Sequence, residues 1–418
     1  MIRRALTNTG WLMGARGVNA VLSLGYLAMA TRSLGLEGFG QFVLCITFGQ
    51  VLVGLVTFQT WQVVVHWGHQ EGKLADATGF AIALDAITVV LGAIMAVCVI
   101  TFAGDWLPIP DRLRPEALAF ALAAVVSIRS TPTGILRLHD RYNLAAVADA
   151  ATSIVRVIGA AIVLFVDPTI DGFIIVWGAA EMVTAATYWF LASRIQPIYW
   201  RHASLLRIPR NEDRAWPFVI GTSLSGLLAI ASRQFLVLLV GTIGGAALAG
   251  IYRVAAQIGE GLLKLAQALL RATYPELVRS PELARAMAGK IAMIGIVTGL
   301  AAVAVSALAG PYVIRIIAGK AYLGAYIPMI ILSAAAALEL SGASLEALLI
   351  ARGKAILNFA LRAFPTLAAL VALPWLVDWM GAIGAACAVL AASSLTVAGF
   401  ITANKRLDSL QKAGEKAV

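Results

Sequence analysis

Twelve long apolar stretches dominate the sequence and leave little room for any other fold class. A helix needs about 20 mostly apolar residues to cross a bilayer, and every stretch reaches that length. The composition agrees, because 60% of the 418 residues are hydrophobic and 13% are charged, against about 45–50% and about 25% in soluble domains. The sequence therefore predicts an all-α polytopic membrane protein with about twelve transmembrane helices. The stretches are residues 10–32, 39–65, 77–103, 116–136, 144–166, 172–193, 215–240, 244–272, 289–310, 324–351, 355–378 and 381–403.

Basic residues are divided unevenly between the loops of the two faces. Twenty lysines and arginines fall on the side of the termini, and five fall on the opposite side. Cytoplasmic loops carry an excess of Lys and Arg, so both termini are predicted to be cytoplasmic. The formal net charge of +10 does not indicate nucleic acid, because the basic residues lie in short loops and within the apolar stretches.

The cysteines and histidines form no pattern typical of a metal site or a disulfide framework. The three cysteines lie in separate apolar stretches without a CxxC spacing. His66 and His69 are three residues apart, but no further ligand is near them in the sequence. We predict no metal and no cofactor, and the short loops leave no domain large enough for catalysis.

A basic linker divides the chain into two halves that look related. The predicted domains are a six-helix bundle at residues 1–193, a cytoplasmic linker at 194–214, and a second six-helix bundle with a short cytoplasmic tail at 215–418. A shift of 210 places Gly35 on Gly245 and Gly40 on Gly250. Parallel repeats of this kind build alternating-access transporters.

Charged side chains interrupt the apolar stretches in both halves. A charge at the bilayer centre costs about 2.5–3.5 kcal/mol on insertion scales, so such a residue usually faces a wet cavity or a partner. One interpretation is a hydrated cavity whose arginines bind an anion, because the planar guanidinium suits phosphate. The substrate-binding candidates are Arg16, Asn19, Arg129, Arg156, Arg233, Arg253 and Arg362.

The alternative is that these charges form buried pairs that hold helices together. Asp149 and Arg156, for example, lie seven residues apart on one helix face. Three acids have no obvious local partner and are candidates for coupling to H⁺ or Na⁺. These acids are Asp85, Glu339 and Glu346.

The first loop carries a motif that resembles a known family. Asn8-Thr9 with Leu12, then Arg16, then Thr31-Arg-Ser-Leu-Gly-Leu-Glu-Gly-Phe-Gly-Gln-Phe42 resembles the opening of the Wzx-like polysaccharide-export flippases, in the MATE-related MOP exporter superfamily. Residues 241–252 and 318–322 resemble further points of that family's pattern. Arg233-Gln234 departs from it, since many relatives have an acidic residue there.

The resemblance implies two six-helix bundles that open alternately to the two faces of the bacterial inner membrane. The implied substrate is undecaprenyl diphosphate carrying an oligosaccharide for cell-surface polysaccharide synthesis, with Arg16 and Arg253 holding the diphosphate. The implied partners are this lipid-linked oligosaccharide, membrane lipid and polysaccharide-assembly proteins.

Two other functions stay open at this stage. An ion-coupled multidrug exporter would need an acidic cavity, and the seven basic and six acidic residues within the helices point only faintly away from it. A membrane-embedded glycosyltransferase, polymerase or ligase would need a large outer loop with paired carboxylates. The largest such loop, residues 104–116, holds Asp105, Asp111 and Glu116 but is too short to form a domain.

Overall fold

The computed structural model describes residues 2–198, 200–230, 234–277, 284–351 and 354–415, with the side chains of 2–18 and 260–277 among those left outside the description. These residues are overwhelmingly helical, which confirms the all-α prediction. The α-helices are α1 Ile2–Val56, α2 Thr60–Gly68, α3 Leu74–Ala103, α4 Arg114–Val126, α5 Ser130–Leu138, α6 Tyr142–Val166, α7 Ile170–Ile195, α8 Arg207–Asn211, α9 Ala215–Ile230, α10 Leu236–Leu277, α11 Ala284–Ile317, α12 Tyr326–Ala351, α13 Ala355–Met380 and α14 Ala382–Glu415.

Ten of the described segments are long and apolar enough to cross a membrane. The difference from the predicted twelve has two sources. One segment, Val21–Gly68, contains the second predicted stretch and residues 21–32 of the first. The seventh stretch is represented by the shorter apolar segment Ala215–Leu224. Each predicted stretch therefore has a helical counterpart in the described part of the chain.

Two glycines break long helices at corresponding points of the two halves. Gly35 interrupts α1 with φ 67° and ψ −172°, and Gly245 interrupts α10 with φ 79° and ψ 175°. This backbone region is essentially restricted to glycine. No atom lies within 4 Å of a Cβ placed on either residue, so the dihedral angles, and not packing, require glycine. The shared conformation supports the predicted internal repeat.

The second and fourth predicted stretches are each divided into two helices. The first break separates α1 from α2 at residues 57–59, and the second separates α4 from α5 at residues 127–129. The short helices α2 and α5 pack against each other and against α3. A Cβ on Gly134 would lie 2.8 Å from Cβ of Val64, so the two short helices are in close backbone contact only because this residue is glycine.

The chain forms two compact units, residues 1–242 and 243–418. In the first, α1 packs on α4, α6 and α7, while the helix Trp200–His202 and α8 pack on α3. In the second, α12 packs on α11 and α14, and α13 packs on α14. The predicted bundle boundaries remain predictions.

Candidate functional site

Three charged side chains from three helices meet inside the first unit and form what we call the Glu181 cluster. Glu181 lies on α7, Arg156 on α6, and Arg129 immediately before α5, in the break that follows α4. Nη1 of Arg129 lies 2.7 Å from Oε2 of Glu181, and Nη2 of Arg156 lies 2.7 Å from Oε1. One carboxylate thus serves two guanidinium groups, so these three side chains comprise two arginines and one acid.

Aromatic rings fix one of the two arginines. The guanidinium carbon of Arg156 lies 3.6 Å from the ring centroid of Trp177 and 5.8 Å from that of Tyr26. The two rings meet edge to face, with centroids 4.8 Å apart. Cations over desolvated aromatic faces are stabilised by about 2 kcal/mol. Arg156 is therefore an anchored cation that holds Glu181 in place.

The exposure of the side chains separates the roles of the two arginines. The side chains of Arg156 and Glu181 are 14% and 15% exposed, whereas that of Arg129 is 35% exposed. Arg129 is consequently the member of the Glu181 cluster that a ligand can reach. Its planar fork can bind phosphate oxygens through two parallel charge-assisted hydrogen bonds.

A second polar site, which we call the Asp85 junction, lies where the short helices α2 and α5 begin. Asp85 on α3 is buried, with 5% of its surface exposed. Its Oδ1 accepts a hydrogen bond of 2.8 Å from the Thr60 hydroxyl, and its Oδ2 accepts one of 3.2 Å from the backbone N–H of Thr131. The hydroxyl oxygen of Ser130 accepts from the backbone N–H of Trp61 at 3.1 Å. The first turns of α2 and α5 thereby find acceptors for N–H groups that have none within their own helices.

Proline explains the break between α4 and α5. Pro132 lacks an N–H group, so it cannot bond the carbonyl of Ile128, four residues earlier. The indole Nε1 of Trp189 on α7 donates to this carbonyl at 3.0 Å. The indole of Trp189 thus replaces the hydrogen bond that Pro132 cannot form.

The second unit contains smaller polar pairs. Nη2 of Arg362 on α13 lies 2.8 Å from Oε2 of Glu346 on α12, and Nδ2 of Asn358 donates to Oε1 at 3.3 Å. Oε1 of Glu339 accepts from the Ser393 hydroxyl at 3.0 Å. The candidate coupling acids Glu339 and Glu346 thus have partners on neighbouring helices that spacing along the chain could not reveal.

Other sequence-predicted residues are placed less completely. The side chain of Arg16 and the whole of Arg233 lie outside the described residues. The buried Oδ1 of Asn19 has no hydrogen-bond partner among the side chains that are described. Arg253 is half-buried and forms no ion pair with any carboxylate in the described ranges.

Glu181 is the member of the site that the sequence analysis did not select. It stood among the intramembrane acids, but its partners lie 52 and 25 residues away. Spacing along one helix, which was the basis for considering Asp149 beside Arg156, carries no signal for such pairs. The presence of charges of both signs within the apolar stretches was the hint that such pairs exist.

The loop at residues 104–116 is organised around one arginine. Nη2 of Arg114 lies 2.8 Å from Oδ1 of Asp105 and 2.8 Å from Oδ1 of Asp111. Two of the three acids that a glycosyltransferase site could have used there thus share one arginine of the same loop.

Comparison with known proteins agrees with this fold. The model of a family described as polysaccharide biosynthesis protein matches residues 5–280. The inner membrane protein YghQ of Escherichia coli strain K12 is 28% identical over 341 residues, which cover 78% of this chain and 95% of that protein.

Solved structures of transporters have the same fold. The lipid II flippase MurJ in its inward closed conformation superposes with a TM-score of 0.65 at 12% identity, over 92% of this chain and 86% of that one. The MATE multidrug transporter DinF-BH gives a TM-score of 0.63 at 13% identity, over 96% of this chain and 94% of that one. The fold is therefore the one that these transporters share, and the chain belongs to the family of polysaccharide biosynthesis proteins.

Proposed function

We propose that this multi-pass membrane protein is a flippase that moves polyprenyl-diphosphate-linked oligosaccharide across the bacterial inner membrane for cell-surface polysaccharide synthesis. The family match and the fold shared with MurJ support this proposal. The sugar would cross along a polar path while the polyprenyl tail stays in lipid. No bond is made or broken, so the protein acts as a transporter and not as an enzyme.

The observation that carries the proposal is the accessible guanidinium group of Arg129 in the Glu181 cluster, where two arginines share one carboxylate. A diphosphate is a dense anion, and a partly desolvated guanidinium binds it more strongly than one in bulk water. Arg129 is the accessible cation of that cluster. An exporter of cationic drugs would gain nothing from an accessible guanidinium group on its path, so Arg129 favours the anionic substrate.

The remaining candidates take complementary roles in this proposal. Arg16, Asn19, Arg233 and Arg253 would extend the path for the diphosphate and the sugar. Coupling to H⁺ or Na⁺ would use Asp85, Glu339 or Glu346. The termini would lie in the cytoplasm, and the partners would be membrane lipid and polysaccharide-assembly proteins.

The test is translocation of a fluorescent undecaprenyl-diphosphate-linked sugar in proteoliposomes containing the full chain. The variants are Arg129→Gln, Arg129→Lys and, as a control, Arg207→Gln, whose arginine pairs with Asp76 at 3.1 Å outside the Glu181 cluster. Loss of one charge-assisted contact of about 1.5–3 kcal/mol predicts a rate at least about tenfold lower for Arg129→Gln. Arg129→Lys should retain part of the rate, and Arg207→Gln should match wild type.

Three results would change the conclusion. If Arg129→Gln flips the lipid as fast as wild type does, the protein is a flippase whose substrate site does not include Arg129. A wild-type protein that fails to flip the lipid under a proton or sodium gradient, but extrudes a cationic dye, would be a drug exporter. A wild-type protein that elongates or transfers the sugar would be an enzyme.

A further inference from the structure

The end of α7 and the segment after it form a groove with an apolar floor. Five residues line a cavity of about 500 Å³, and we call this cavity the α7 groove. The rings of Trp189 and Trp200 stack with centroids 5.6 Å apart at 26°, and Trp189 is held by its hydrogen bond to the Ile128 carbonyl. One wall is therefore rigid. The lining residues are Trp189, Phe190, Ser193, Ile198 and Trp200.

An exposed apolar stripe leads along α7 to this groove. The exposed residues follow one another at intervals of three or four, so they lie on one helix face. With a rise of about 1.5 Å per residue, the stripe is about 22 Å long, which exceeds the roughly 15 Å that one leaflet contributes to the hydrocarbon core. The stripe comprises Ile175, Ala179, Met182, Ala186 and Phe190.

Two exposed arginines, Arg194 and Arg201, lie at the end of the stripe. Arg194 is exposed and comes one turn after Phe190, with its guanidinium carbon 5.0 Å from that ring's centroid. Arg201 is exposed and directly follows Trp200. Neither forms an ion pair with a carboxylate in the described part of the chain. By contrast, Arg207 and His202 in the same segment both contact Asp76.

We propose that the α7 groove binds one anionic phospholipid. An acyl chain lies on the stripe and between the aromatic rings, and the phosphate contacts Arg194 and Arg201. Aromatic residues favour the membrane interface, and basic residues there attract anionic lipids by about 1 kcal/mol each. A zwitterionic lipid matches the apolar floor but lacks the net charge that two unpaired arginines select. This site is separate from the Glu181 cluster and does not depend on the proposed transport function.

Native mass spectrometry of the full-length protein in detergent tests the proposal. The protein is titrated with phosphatidylglycerol or phosphatidylcholine of identical acyl chains. We expect tighter binding of phosphatidylglycerol, about fivefold weaker binding in Arg194→Gln or Arg201→Gln, and about 30-fold weaker binding in the double variant. Trp200→Ala should weaken the binding of both lipids, because it removes a wall of the groove and no charge.

The matched control is Arg207→Gln, which removes the same charge from the same segment at a residue already paired with Asp76. It should leave the affinity for phosphatidylglycerol unchanged. An equal loss in this variant would show that net charge alone attracts the lipid and would overturn the proposal. Equal affinity for the two lipids would also overturn it, as would displacement of phosphatidylglycerol by an equimolar polyprenyl phosphate, since the groove would then belong to the carrier lipid.

Discussion

Two carboxylates in the first unit, the buried Asp85 and the half-buried Glu181, are stabilised in different ways. Glu181 lies within the continuous helix α7 and contacts two arginines at 2.7 Å. Asp85 contacts no basic side chain among the described residues and instead accepts hydrogen bonds from a hydroxyl and a backbone N–H. Both acids lie in apolar stretches. Glu181 is stabilised by charged side chains, whereas Asp85 is stabilised by hydrogen bonds from the first residues of α2 and α5.

This difference shows what a helix break makes available inside a membrane. A continuous helix bonds its own backbone groups and offers none to a neighbouring acid, which then depends on the side chains of other helices. Where α2 and α5 begin, free N–H groups and the positive ends of two helix dipoles point toward one place. A carboxylate at the start of these two helices can therefore be stabilised without a basic side chain. The comparison also predicts that the two sites respond differently to mutation.

The largest effect is expected from Glu181→Gln. The change leaves two arginines without a counter-charge, and removal of one partner of a buried pair costs about 3–5 kcal/mol. The partial exposure of Arg129 places the expected loss near the lower end of that range. Thermal unfolding in detergent measures it. Arg129→Gln should destabilise less, because Arg156 continues to pair with Glu181, and the reverse order would contradict the anchoring role of Arg156.

A smaller loss is expected from Asp85→Asn. The amide oxygen can still accept from Thr60, but the amide nitrogen cannot accept from the N–H of Thr131, and one buried donor is left unsatisfied. The expected loss is about 2 kcal/mol. Thr60→Val should cost about 1 kcal/mol, because it removes one hydrogen bond and leaves the carboxylate its backbone donor. A stability unchanged in Asp85→Asn would mean that the junction does not hold the short helices.

Trp189→Phe tests the hydrogen bond that bridges the break made by Pro132. Phenylalanine keeps most of the ring packing but removes the donor to the Ile128 carbonyl. The expected cost is about 1 kcal/mol in the same unfolding assay. Phe190→Leu, which changes an exposed neighbour with no such bond, is the control and should have no measurable effect. Equal stability of Trp189→Phe and wild type would mean that the carbonyl finds another donor.

The smallest effect is expected from Glu346→Gln in the second unit. The side chains of Arg362 and Glu346 are 39% and 26% exposed, and partly exposed pairs contribute about 0–1 kcal/mol. We expect a loss below about 1 kcal/mol, clearly less than that of Glu181→Gln. A loss as large as that of Glu181→Gln would show that this pair is shielded from solvent to the same degree as the Glu181 cluster.

Much of the fold was readable from local patterns. The apolar stretches predicted the transmembrane helices because membrane insertion depends on hydrophobicity within about 20 residues. The repeat predicted that Gly35 and Gly245 correspond, and both adopt a conformation restricted to glycine.

The partners of the charged residues were not readable in this way. Arg129 and Arg156 were selected because a charge in an apolar stretch is costly, and this remains a sound reason. Their shared partner Glu181 lies on a third helix, and its contacts depend on how α5, α6 and α7 pack. The sequence by itself determined which stretches are apolar enough to cross the membrane and which charges need a partner, because these depend on neighbours along the chain. Only the tertiary structure decided which charges meet, because a carboxylate and a guanidinium contact each other when separate helices bring them together in space.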